Sequence, residues 1–140
     1  MTPITVFESG TTVRNRLSRS IVLSIRTLMQ QKKPDKSSLD MAAFVVIALE
    51  QIEKSVETSV LAWEKRDYWI KADRFRLDWL WVGELRKRLS LNVLKEDWAL
   101  LAPDLALVAQ HLNQVEIRPN NRIGEPWTGA WEVFSKSKTK

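Results

Sequence analysis

The chain has 140 residues, with 22 Lys or Arg against 17 Asp or Glu, and it contains no cysteine and one histidine, His111. That length holds one domain able to bury a core without disulfides or metal. The missing cysteines exclude disulfides, thiolate metal sites and thiol nucleophiles, and the single histidine excludes a two-histidine zinc motif within one chain.

Residues 1–10 lack the basic start and long apolar run of a secretory leader. The longest apolar stretches, 41–49 and 79–82, fall far short of the ~20 residues that span a bilayer. A soluble, cytoplasmic protein without a membrane partner is expected. The formal charge of +5 is unevenly spread: +5 over residues 1–33, −4 over 34–64, +4 over 65–90, −3 over 91–117 and +3 over 118–140. Segments of alternating sign can pair with one another or with a neighbouring molecule and still present basic surface to a polyanion.

Taken in chain order, four segments carry helical periodicity, and nothing alternates as a strand would. Over 12–31, Val13, Leu17, Ile21, Ile25 and Leu28 share one broad face. Pro34 ends that helix, and Asp35 to Ser38 offer capping side chains. Over 39–64 the apolar stripe is Val45, Leu49, Ile52, Val56, Val60 and Trp63. Over 67–90 it is Tyr68, Ala72, Phe75, Trp79 and Val82. Over 95–115 it is Trp98, Leu101, Leu105, Val108, Leu112 and Val115, interrupted by Pro103, where a kink or restart is expected.

Short connections favour antiparallel neighbours, so the expected fold is all-α: an antiparallel up-down four-helix bundle over 1–117. Residues 118–140, punctuated by Pro119, Gly124, Pro126 and Gly129, read as an irregular, partly disordered basic tail apart from an aromatic clip at Trp127, Trp131 and Phe134.

The first helix carries a basic stripe. Arg16, Arg19, Arg26 and Lys33 fall within about 100° of one another, opposite the apolar face. Phosphates reward such a line of cations through counterion release. The alternatives are a solvated face, or pairing with the acids of the second helix. Those acids, Glu50, Glu53, Glu57 and Glu64, lack the glycine-turned loop of a calcium site and the histidine of a di-iron bundle, so interhelical or intersubunit ion pairing is the expected role.

The third helix adds Arg74, Arg76, Arg86, Lys87 and Arg88, weaker nucleic-acid candidates scattered around the wheel. Its middle is apolar on two sides: Trp79 and Val82 point one way, Leu77 and Trp81 the other. A second apolar side marks a protein interface, and Leu100 and Leu107 on the fourth helix point to the same conclusion. No glycine-rich phosphate loop is present, and His111 has no serine placed for a triad. Neither an enzyme nor a cofactor, metal or small-molecule substrate is implied.

The block 48–115 resembles the accessory variability determinant proteins of diversity-generating retroelements, within a broader group of four-helix proteins that includes those encoded in ribosomal-RNA intervening sequences. The resemblance rests on Leu49-Glu50-Gln51-Ile52-Glu53, on Ile70-Lys71-Ala72-Asp73 followed by Leu77, Leu80 and Trp81, and on the capping-and-proline region into Leu105 to Val115. It covers about half the chain well and the first helix loosely. The tail from Arg118 departs from it.

The resemblance implies a homo-oligomer, a pentameric barrel of four-helix protomers with a basic surface. It would bind the retroelement's reverse transcriptase together with RNA and cDNA, and the polymerase chemistry would belong to the partner. The alternative from the residues alone is an oligomeric adaptor without nucleic-acid binding.

Overall fold

A computed structural model describes residues 9–138, and among them every regular element is a helix. Capping side chains set the starts. Ser9 Oγ accepts the Thr12 amide at 3.1 Å and opens α1, Gly10–Met29. Asp35 and Ser38 form a reciprocal capping box, each side chain bonding the other's backbone amide, and this opens α2, Lys36–Lys65, three residues earlier than the helical segment expected from 39. Asp97 accepts the Leu100 amide and opens α5, Trp98–His111.

Two helix ends use a device that periodicity does not reveal. After α2 the amides of Asp67 and Tyr68 turn back to the carbonyls of Glu64 and Trp63, with Asp67 at φ 61°. After α4, Leu80–Leu94, the amides of Glu96 and Asp97 do the same to Val93 and Asn92, with Glu96 at φ 52°. Both are Schellman closures, which ordinarily place glycine in the left-handed position. A glutamate there carries backbone strain. Glu96→Gly is therefore expected to stabilise the protein by about 0.5–1 kcal/mol net of the added unfolded-state freedom. The effect should read as a higher urea midpoint at unchanged m-value.

The segment expected as one helix over 67–90 is two: α3, Trp69–Asp78, and α4, separated by Trp79 at φ −110° and ψ 8°. Residues two apart on an unbroken helix point about 200° from one another. The break lets Trp79 and Trp81 stack, with ring centres 6.3 Å apart and planes within 25°. Tyr68, placed inward by the stripe, is exposed, because it lies in the turn before α3. In α5 the chain passes through Pro103 without a restart. Ala99 and Pro103 both lie on the exposed side, where the carbonyl deprived of its partner can meet water.

The tail also differs from the expectation of an irregular segment. Residues 112–129 are non-helical, but Ala130–Lys138 form α6, which packs on α2. Trp127 and Phe134 are buried, Trp131 is half-buried, and the Trp131 backbone N–H donates to Asp40 Oδ1 at 2.9 Å. Ala130 and Phe134 belong to the same core as Leu17, Ile21, Leu49, Ile52, Leu89 and Leu101. The aromatic clip is therefore part of the fold, and α6 shares the core of the helices before it.

Contacts explain the composition of α2. It lies against α1, α3, α4 and α6, while α4 meets α5 and α5 returns to α1. Covered on several sides, the run Met41, Ala42, Ala43, Val45, Val46, Ala48 and Leu49 is buried almost all round. A single apolar stripe would not require that; a helix surrounded by neighbours does. No helix among the described residues is long and apolar enough to cross a membrane.

Candidate nucleic-acid interface

Arginine is the residue type whose planar fork best matches phosphate, and its place in the fold decides whether it can serve. Arg16, Arg19 and Arg26 project from α1 and are exposed. Lys33 is exposed too, but it lies beyond the end of α1 at Met29. The stripe therefore holds three residues on the helix, and the fourth is carried by the connection before Pro34, which biases its neighbour towards extended backbone.

Arg14, on the same helix, is buried. Its guanidinium donates to the Ser55 carbonyl and hydroxyl and to Ser59 Oγ at 3.2–3.3 Å, and lies 4.7 Å from the Phe75 ring centre. Burial pushes its pKa below the ordinary value, yet arginine stays a cation at neutral pH. It pins α1 to α2 and to the aromatic break at Trp79.

The main cationic feature is a groove of about 900 Å³. Arg16, Arg19 and Ser20 of α1 form one wall. The segment after α5 forms the other, through Glu116, Ile117, Arg118, Asn120, Asn121, Arg122, Ile123 and Pro126. Four guanidinium groups thus line one recess with one carboxylate. The second wall is held by its own turn. Asn121 donates through Nδ2 to the Arg118 carbonyl at 2.8 Å and accepts the Ile123 amide at 3.0 Å. Gly124, at φ 74°, takes the following bend, and buried Trp127 anchors the segment against the body. Arg118 and Arg122 stand outside the residues singled out by periodicity, because nothing in a wheel brings a non-helical segment beside α1. The signal available was compositional: a +3 segment rich in Asn and Gly.

The cations of α3 and α4 are placed differently. Arg76 bridges Glu64 at 2.8 Å and Glu57 at 3.4 Å, with Asp73 at 3.9 Å. Arg86 pairs with Glu53, and Arg88 with Asp104 at 2.9 Å. Hydrogen bonds to Glu64 and to Asp104 raise the pKa values of Arg76 and Arg88 above the ordinary arginine value. These three carry carboxylate partners within the molecule, so a phosphate would have to share or displace them. Arg74 and Lys87 are placed on the outer side of these helices, Arg74 exposed and Lys87 likewise.

Lys138 takes Glu50 at 3.4 Å, so the acidic stripe of α2 is matched by α3, α4 and α6, while Arg16, Arg19 and Arg26 of α1 face outward. Among the described residues no three His, Cys, Asp or Glu side chains gather as a metal site.

Of the interface candidates, Leu77, Leu100 and Leu107 are 69%, 53% and 39% exposed. Trp81 is half-buried and stacks face to face on His111 at 4.3 Å, so it turns inward where an outward position was expected. The break at Trp79 is the cause, since it rotates the first turn of α4 relative to α3. Ile70 and Leu80, exposed on the same helices, extend the outer apolar surface.

Comparison with protein-family models, curated proteins and solved structures finds no match.

Proposed function

We propose that the chain is a non-catalytic, polyanion-binding helical scaffold: an accessory subunit of a diversity-generating retroelement that holds template RNA and its cDNA beside a reverse transcriptase. The observation that carries this reading is the groove in which Arg16 and Arg19 face Arg118 and Arg122. Two walls of arginine can engage successive phosphates, and such contacts fix a strand without reading its sequence.

The circuit from α1 through α2, α4 and α5, with α3 and α4 taken as one broken helix, is read as an antiparallel up-down four-helix bundle. The exposed residues Ile70, Leu77, Leu80, Leu100 and Leu107 supply apolar faces for self-association, with a pentamer as the ring size that the family resemblance suggests. The cytoplasm, where template and polymerase meet, is the expected compartment.

A second reading is favoured by the ion pairs of Arg76, Arg86 and Arg88, which commit three basic side chains to carboxylates of the same molecule. On that reading the chain is an oligomeric adaptor that binds protein alone.

Titrating labelled RNA and DNA oligonucleotides at rising salt separates the two. Four phosphate contacts predict a log–log slope near −3 on single strands, at about 0.7 per contact, with little dependence on sequence. Light scattering and co-purification with a reverse transcriptase test the assembly. An oligomer that ignores nucleic acid in dilute buffer supports the adaptor; a monomer that ignores it ends both readings.

A further inference from the structure

A second recess, of about 320 Å³, is lined by Asp78, Trp79, Trp81, His111 and Leu112. Its walls are a ladder of near-parallel rings. Trp79 and Trp81 stand 6.3 Å apart within 25°, and Trp81 and His111 stand 4.3 Å apart at 0°. The ladder ends on His111, which is exposed. A stack that terminates in an exposed planar ring presents a π face to one further planar ring. The rings form no box, so they do not suit a methylated ammonium, which needs walls at an angle to one another.

We propose that the exposed His111 end of this ladder stacks one unpaired nucleobase of the strand whose phosphates occupy the arginine groove, and so makes the protein select single-stranded over duplex nucleic acid. The inference rests on the polyanion reading above. Leu112 lines the recess and Glu116 the groove, so the two sites share one short segment and lie within about 14 Å of chain. Asp78 in the recess disfavours a phosphate there, while the arginine groove favours one. This division of charge orients a nucleotide with its base towards His111 and its phosphates towards Arg19 and Arg122. A duplex keeps its bases stacked inside and exposes one only at an energetic cost, whereas a single strand offers the base already.

The test uses the full-length protein, fluorescence anisotropy at low salt, and a labelled 12-nucleotide single strand compared with the corresponding 12-base-pair duplex. His111→Ala is expected to weaken single-strand binding about tenfold, as loss of one base–aromatic stack does. Duplex affinity and the salt slope should stay unchanged. His111→Phe, which keeps a planar ring and reports on folding, should restore single-strand affinity.

Equal single-strand affinity for wild type and His111→Ala would overturn the stacking site while leaving the phosphate groove intact. So would equal losses on single strand and duplex. Dissociation of an oligomer by His111→Ala would instead assign the recess to a contact between copies and overturn the proposal. If the wild type binds neither probe, the polyanion reading fails and the stacking site fails with it.

Discussion

The double reversal R19E/R122E is expected to lower affinity for a single-stranded oligonucleotide on the order of a hundredfold in dilute buffer. One substitution is made on each wall of the groove. A charge-assisted contact contributes about 1.5–3 kcal/mol, so losing two reaches this range before the repulsion of the new carboxylates is added. The salt slope should become shallower by about 1.4, the share of two phosphates on a single strand. Both residues are exposed, so the melting temperature should barely move. Anisotropy titrations at several salt concentrations, with circular dichroism as the folding control, measure all three quantities. An unchanged affinity would remove the groove from the interface. Reversing Arg86 is a different experiment, because it would set a second carboxylate beside Glu53 and disturb the α2–α4 contact.

Truncating Phe134 has the second large expected effect. Its side chain is 1% exposed and packs into the common core. Phe134→Ala should cost about 3–5 kcal/mol, from lost transfer free energy and the cavity left behind. Urea denaturation followed by far-ultraviolet circular dichroism should show one cooperative transition shifted to a lower midpoint. Were α6 merely an appendage, the midpoint of the remaining helices would not move. The result therefore decides whether the last helix is part of the cooperative unit.

Much of the helical framework is legible in the amino-acid order. Leu17, Ile21 and Ile25 are buried where the 3.6-residue period places them, as are Leu49, Ile52, Val56 and Val60 in α2 and Leu101, Leu105 and Val108 in α5. The acids of α2 make interhelical ion pairs, as their position beside the apolar face suggested. What periodicity could not supply depends on contacts between distant segments.

The break at Trp79 has no proline or glycine to announce it; it accompanies the stacking of Trp79 and Trp81 with His111, which comes from a distant part of the chain. Its consequence, the inward turn of Trp81, was for that reason invisible. Helix α6 was obscured by the Gly and Pro of the segment before it, although the apolar belt at Met41 to Leu49 already demanded more than one covering neighbour. Arg118 and Arg122 acquire meaning only when Asn121 and Trp127 fold their segment back beside α1.

The bond from the Trp131 amide to Asp40 spans 91 positions, and Phe134 fills a site against a helix made long before it. During synthesis that surface of α2 stays naked until the turns of α6 leave the ribosome, because its cover is encoded far downstream of it. Until then the nascent chain is prone to clump, and a ribosome stalled before α6 emerges would hold the molecule in its stickiest form.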